Sequence, residues 1–181
     1  KCFSKAVSIS KKAVYYFNLG NAYFYNGWCD EAQKAYAKAI YYEPNNLDYR
    51  YSLAYLYFKN NEFDKSKKEV EAILSVSKGY MGAQILCALL YNQNKEYSKA
   101  KLLLEKFLET NNENEFLLIS LAKTYSYLQM YSKSEQLLDK LIKKSPENSD
   151  YLSEITEIYI AEKEYDKALS VVEGIIKLNK N

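Results

Sequence analysis

Apolar and polar residues follow one another along this chain with the period of an α-helix, and the pattern itself repeats. Every 34 residues contain two amphipathic segments of roughly a dozen residues each, with apolar positions at helical spacing. Only two prolines and five glycines occur among 181 residues, a composition that favours long helices and makes tight β-turns scarce. The sequence therefore predicts an all-α protein built from pairs of helices.

Five series of equivalent positions keep a constant 34-residue step. Two series hold large side chains: Tyr23, Tyr57, Tyr91, Tyr125 and Tyr159, and Leu19, Leu53, Cys87, Leu121 and Ile155. Two hold small ones: Gly20, Ala54, Ala88, Ala122 and Thr156, and Ala32, Ser66, Ala100, Ser134 and Ala168. The fifth is aliphatic: Ile40, Leu74, Leu108, Ile142 and Ile176. Small residues let two helices approach closely while the large ones fill the remaining space, so we expect helical hairpins that stack on their neighbours.

Polar residues mark the junctions within and between these hairpins. One good N-cap residue precedes each second segment: Asp30, Asp64, Ser98, Ser132 and Asp166. We expect these side chains to accept hydrogen bonds from the first free amides of the following helix. Asparagines between hairpins, such as Asn46 and Asn148, are typical of turns.

The first repeat resembles the tetratricopeptide repeat family. The residues that carry the resemblance are Tyr16, Leu19, Gly20 and Tyr23, then Gly27, Ala32, Tyr36, Ala39 and Pro44. The resemblance implies a right-handed superhelical solenoid of antiparallel helix-turn-helix repeats. The five repeats of this continuous array would be residues 13–46, 47–80, 81–114, 115–148 and 149–181. Residues 1–12 resemble the second helix of a preceding repeat. Because the sequence starts at Lys1 without an initiator methionine, we expect it to be part of a longer chain.

Composition argues against several other functions. The chain has no histidine, the commonest general base and metal ligand, and no phosphate-binding glycine loop or nucleophile elbow. We therefore expect no enzyme activity, no metal and no cofactor. A net charge of +2 argues against nucleic-acid binding, which usually needs a concentrated basic face. No long apolar run predicts direct membrane insertion.

The three cysteines are too widely spaced for a disulfide framework or a zinc site. Cys29 and Cys87 fall at apolar positions of the repeat, so we interpret both as core thiols. Core thiols of this kind are typical of a reducing compartment, which favours a cytoplasmic location.

The resemblance also implies a concave groove, lined by the first helix of each hairpin. The groove residues are Phe17, Asn21, Phe24, Tyr25, Tyr51, Tyr55, Phe58, Ile85, Leu89, Phe116, Ile119, Lys123 and Tyr127. Phe17 and Tyr55 replace a lysine and an asparagine of the clamp by which some family members hold acidic peptide tails. This aromatic surface favours a protein partner bound through an apolar or amphipathic peptide or helix. The alternatives are a self-assembling structural scaffold, forming homo-oligomers end to end or through the groove, and the regulatory arm of a larger enzyme.

Overall fold

The structure is a computed structural model that describes the backbone of residues 2–178, and the side chains of 9–109 and 111–177. Ten helices and no strand occur in this part of the chain. They are α1 (Cys2–Tyr25), α2 (Cys29–Tyr42), α3 (Leu47–Lys59), α4 (Phe63–Val76), α5 (Met81–Gln93), α6 (Tyr97–Thr110), α7 (Glu115–Tyr127), α8 (Tyr131–Lys144), α9 (Ser149–Ala161) and α10 (Tyr165–Leu178). The predicted all-α secondary structure is confirmed.

The helices belong to two compact units, Lys1–Leu90 and Tyr91–Asn181. In the first unit α1 packs on α2, α2 on α3, and α3 on α4. In the second unit α6 packs on α7, α7 on both α8 and α9, and α9 on α10. Each unit is therefore built from helical hairpins that pack on their sequence neighbours.

The predicted remnant at residues 1–12 is not separated from the first repeat. Helix α1 runs without interruption from Cys2 to Tyr25, so this segment continues directly into the first helix of 13–46. Lys1 and the side chains of residues 2–8 lie outside the described residues. The repeat boundaries stay a prediction.

The small residues of the repeat lie where two helices cross. Ala32, Ser66, Ala100 and Ser134 are completely buried, and Ala168 is 5% exposed. The larger tyrosine series is buried at three positions and half-buried at Tyr23 and Tyr91. The tyrosine series and this small-residue series thus contribute to the core of each unit. The aliphatic series is half-buried at four positions, and its last member, Ile176, is 48% exposed.

Both predicted core thiols are only half-buried. Cys29 packs against the cluster that contains Tyr36 and Leu56, and Cys87 packs against the one that contains Ile73 and Leu86.

A lysine lies over the ring of four of these tyrosines. The ammonium-to-centroid distances are 5.3 Å for Lys65–Tyr57, 5.4 Å for Lys99–Tyr91, 5.6 Å for Lys133–Tyr125 and 5.9 Å for Lys167–Tyr159. The first repeat has Glu31 at the lysine position, and there Tyr23 packs against Trp28 instead. These contacts match a cation–π geometry and cover one tyrosine face in each of the four repeats.

The prediction that Asp30 and its equivalents are N-caps is wrong. The second helices begin two residues earlier than this prediction requires, at Cys29, Phe63, Tyr97, Tyr131 and Tyr165. The residues that precede α2, α4, α6 and α8 make no side-chain cap hydrogen bond. The predicted residues instead occupy the first turn, where the carboxylates of Asp30, Asp64 and Asp166 oppose the positive end of the helix dipole.

The turn that precedes each second helix explains the difference. A residue with positive φ lies two positions after the end of each first helix: Gly27, Asn61, Lys95, Gln129 or Lys163. The next amide then donates back to a tyrosine carbonyl, as in Trp28 N to Tyr23 O at 2.9 Å. In this backbone turn a single residue, such as Trp28, separates the positive-φ residue from the first residue of the next helix. Side-chain caps occur between hairpins, where Asn46, Asn114 and Asn148 accept from the amides of Asp48, Leu117 and Tyr151.

Candidate functional site

A cavity of about 130 Å³ lies in the first unit, between α1, α2 and α3. Its lining residues are Asn21, Phe24, Tyr25, Tyr36, Tyr51, Ser52 and Tyr55. On α1 the first three lie at spacings of three and four residues, so they share one helical face. On α3 Tyr51 and Tyr55 share a face for the same reason. Helical periodicity thus directs most of these side chains to one place.

Tyr36 of α2 lies at the base of the cavity and is only 2% exposed. Its hydroxyl donates a hydrogen bond of 2.8 Å to Oδ1 of Asn21. Burial, followed by the neighbouring Tyr25 hydroxyl, raises the pKa of Tyr36 to about 12. The hydroxyl is therefore protonated at neutral pH and holds the Asn21 amide in a fixed orientation.

Aromatic rings meet at steep angles around the cavity. The ring of Phe24 lies 5.7 Å from Tyr25 with an interplanar angle of 64°, and 5.9 Å from Tyr55 at 62°. Tyr51 stacks on Tyr55 at 6.3 Å. Because the rings are inclined to one another, faces and edges both line the space, and an occupant would contact several rings at once.

One acidic residue lies on α3 beside the cavity. Tyr80 packs 5.8 Å from Tyr51 and donates a hydrogen bond of 2.5 Å to Oδ1 of Asp48. The Ser52 hydroxyl donates to the Asp48 main-chain oxygen at 3.0 Å. Asp48 itself is exposed. Burial, followed by the Tyr55 hydroxyl, raises the pKa of Tyr51, so this phenol is also neutral at physiological pH.

Four further predicted groove residues of the first unit lie outside the cavity lining. Phe17 is half-buried and packs 4.8 Å from Tyr49 and 6.1 Å from Tyr36, which makes it a support for the cavity base. Phe58 packs 5.7 Å from Phe63. The remaining two, Ile85 and Leu89 of α5, are half-buried. The structure brings together Asn21, Phe24, Tyr25, Tyr51 and Tyr55.

The predicted groove residues of the second unit differ in how far their side chains are exposed to solvent. Phe116 is 39% exposed and Tyr127 is 44% exposed, with Tyr127 stacked on Tyr97 at 4.8 Å. Lys123 is half-buried. Ile119 is only 2% exposed and belongs to the core cluster that contains Leu138. The prediction that Ile119 offers its side chain to a partner is therefore wrong, because packing within the unit already covers it.

Two lining residues, Tyr36 and Ser52, were not predicted as part of the site. Tyr36 belongs to the repeat consensus, so its position indicated packing alone. Ser52 lies beside the positions that the family uses for its groove. The available signal was position along the chain: Ser52 directly follows the predicted groove residue Tyr51, and Tyr36 is a consensus residue of the second helix.

Possible metal ligands occur among the side chains of 9–109 and 111–177. Among them, no group of three or more cysteine, aspartate or glutamate residues could hold a metal ion. Within residues 2–178 no helix combines the length and apolar character that crossing a membrane requires.

Comparison with known proteins agrees with this architecture. Residues 17–74 match the family model of the tetratricopeptide repeat. A tetratricopeptide repeat protein from Parabacteroides merdae superposes with a TM-score of 0.76 and 22% identity, covering 91% of this chain and 64% of its own. A thermophilic tetratricopeptide repeat protein from Thermus thermophilus gives a TM-score of 0.80 at 17% identity, covering 92% of this chain and 91% of its own.

MamA from Desulfovibrio magneticus RS-1 has a similar fold, with a TM-score of 0.70 at 15% identity, covering 93% of this chain and 96% of its own. No significant match was found among curated proteins. The chain spans less than two thirds of the Parabacteroides protein.

These findings confirm the tetratricopeptide repeat resemblance. Residues 17–74 carry the repeat by sequence, and the chain has the all-α helical repeat solenoid fold of that family. Tetratricopeptide repeat proteins generally mediate protein–protein interactions and are generally non-catalytic scaffolds.

Proposed function

We propose that this chain is a non-catalytic scaffold that binds an apolar or amphipathic peptide or helix of a protein partner. The observation that carries the proposal is the cavity between α1, α2 and α3, where five aromatic side chains from three helices converge. One of these five side chains, Tyr25, is 86% exposed to solvent. Aromatic side chains in a concave surface are the groups that most often anchor a protein partner.

The size of the cavity supports a side-chain anchor rather than a separate ligand. A volume of about 130 Å³ is close to that of cavities that accept a single benzene ring, and well below that of typical small-molecule sites. A partner segment would place one side chain in the cavity and lie across the neighbouring surface. Within the second unit taken by itself, Phe116, Lys123 and Tyr127 are proposed as partner contacts.

The test is a quantitative pull-down of protein partners from native extract with the double variant Tyr51→Ala/Tyr55→Ala. We expect capture to fall at least about tenfold, the effect of losing one hot-spot contact. The matched control is Tyr41→Ala/Tyr131→Ala, which removes two exposed tyrosines outside the cavity. Circular dichroism should show equal helicity for both variants. Equal capture by the cavity variant and the wild type would exclude this binding site.

The second candidate is self-assembly, which one surface of α10 favours. Tyr165, Leu169 and Ile176 are 63%, 59% and 48% exposed and lie along one side of this helix. Light scattering over a concentration series, with Leu169→Lys as the comparison, tests it. A mass that rises with concentration in the wild type and stays constant in the variant would support self-assembly; a constant mass in both would exclude it.

A further inference from the structure

We propose that the cavity binds the guanidinium group of a partner arginine. The inference rests on the proposed function, because this arginine would be one residue of the bound segment. It is carried by the ring geometry of the cavity, by the polar atoms that line it and by the charge beside it.

The rings offer the surfaces that an organic cation prefers. A cation within about 6 Å of a tyrosine or phenylalanine centroid is attracted by the negative face of the ring. Phe24 meets Tyr25 and Tyr55 at 64° and 62°, so a group inside the cavity has more than one ring within reach. A guanidinium is planar and weakly hydrated, and it stacks on aromatic faces more readily than an ammonium.

The chain uses the same contact elsewhere for its own side chains. Six lysines among the described residues lie over tyrosine rings, at 4.9 to 5.9 Å from the centroids. The rings in these pairs are those of Tyr16, Tyr42, Tyr57, Tyr91, Tyr125 and Tyr159. None of these six rings lines the cavity. None of the six lysines therefore occupies a ring of the cavity.

Two oxygens in the lining can accept hydrogen bonds from an occupant. The Ser52 hydroxyl gives its proton to the Asp48 carbonyl, which leaves its lone pairs as acceptors. Asn21 Oδ1 already accepts from Tyr36 and has a second lone pair. A purely apolar side chain would cover these oxygens without pairing them, at a cost in free energy. A guanidinium carries five N–H donors and no acceptor, so it can pair with them.

Charge around the cavity favours a cation as well. The seven lining residues carry no formal charge. The exposed carboxylate of Asp48 is three residues before Tyr51 and seven before Tyr55, on the same face of α3. The Tyr80 hydroxyl donates a hydrogen bond to this carboxylate, and the Tyr80 ring packs against the Tyr51 ring. An approaching arginine meets attraction at this position, whereas an acidic side chain meets repulsion.

The experiment uses three capped tripeptides with glycine on both sides of the central residue: arginine, its uncharged analogue citrulline, and leucine. Each is titrated into the ¹⁵N-labelled chain while the backbone amide resonances of 21–25 and 51–55 are followed. Citrulline keeps the shape of arginine and removes the charge, so the pair isolates the cation. We expect arginine to bind at least about fivefold more tightly than citrulline, the scale of a cation–π contact at a solvent-exposed site.

Two variants test whether the rings cause this preference. Tyr55→Leu keeps an apolar side chain and removes the aromatic face, so arginine and citrulline should then bind equally. Tyr55→Phe keeps the face and should keep the preference. Because the peptide comparison is decided on the wild-type chain, poor folding of Tyr55→Leu would not affect the main result.

Equal binding of arginine and citrulline, tighter binding of leucine, or no binding of any peptide at millimolar concentration would each overturn the arginine proposal. None of these results contradicts the proposed function, which depends on partner capture and its loss in the Tyr51→Ala/Tyr55→Ala variant. Failure of that capture experiment, with arginine binding intact, would leave a cation site without a peptide-binding role.

Discussion

The ring of Tyr36 lies against the α-carbon of Gly20, so close that a Cβ on residue 20 would be 2.6 Å from two ring carbons. This contact links the packing of the first hairpin to the cavity that is proposed as a binding site. The bare α-carbon of Gly20 lets the ring approach α1, and the hydroxyl of the same ring then reaches Asn21 at the base of the cavity. Gly20, a position of the 34-residue series, thus allows the Tyr36 ring to take its place at the base of the cavity.

Gly20→Ala should destabilise the protein by about 1–3 kcal/mol, since the added methyl group must displace a buried ring. Gly174→Ala is the matched control, because this helical glycine has open space around the position of a Cβ. There the higher helix propensity of alanine should stabilise by up to about 1 kcal/mol. Urea unfolding of both variants measures the difference. Changes of the same sign would contradict the role assigned to the Gly20–Tyr36 contact.

Two serines of one repeat series should respond in opposite ways to replacement by alanine. The Ser66 hydroxyl donates a buried hydrogen bond of 2.8 Å to the main-chain oxygen of Ala54. The equivalent Ser134 hydroxyl is buried and has no hydrogen-bond partner in the described part of the chain. Ser66→Ala should therefore cost about 1 kcal/mol, whereas Ser134→Ala should stabilise by about 1 kcal/mol. Thermal and urea unfolding would test both values, and a loss at Ser134 would show that its hydroxyl is paired.

Stability should fall in alkali, between about pH 10 and pH 12. Burial raises the pKa of Tyr159 to about 12, with the carboxylates of Asp139 and Glu135 contributing. In the unfolded chain a tyrosine ionises near pH 10. The folded state therefore binds more protons across this interval, and the free energy of unfolding decreases as pH rises. Below about pH 10 the raised pKa of Tyr159 makes its full contribution to the free energy of unfolding.

Urea unfolding at several values from pH 9 to pH 12 measures this decrease. Tyr159→Phe should show a shallower fall than the wild type, because it removes one ionising group. Tyr165→Phe changes an exposed tyrosine and should follow the wild type. Parallel curves for all three proteins would indicate that other groups, such as the lysines, cause the loss.

The constant-step positions made the fold predictable, because burial at a helix crossing restricts side-chain size at each repeat. Ala32 and Ala100 are completely buried for this reason. The N-caps were not predictable in the same way. A backbone turn with a left-handed residue, as at Gly27, determines where α2 begins, and Asp30 then falls inside the helix.

The candidate site was predicted in part. Spacing along α1 and α3 was enough to bring Phe24, Tyr51 and Tyr55 together, since helical periodicity sets which side chains share a face. Whether an apolar side chain on such a face stays accessible depends on the packing around it. Ile119 has the same place in its repeat as Phe17 and Tyr51, yet the core of the second unit covers it.

The constant 34-residue step has a consequence for how such a chain can change by recombination. Removing residues 47–80 deletes 34 residues, the length of one repeat. The positions on either side of the deletion therefore stay in register, and small residues still occupy the positions where helices cross. The cavity would not be kept, because Gly82, Ile85 and Leu89 would then take the places of Asp48, Tyr51 and Tyr55 beside α1. Loss of this single hairpin would therefore remove the proposed binding cavity in one event while leaving the folding pattern intact.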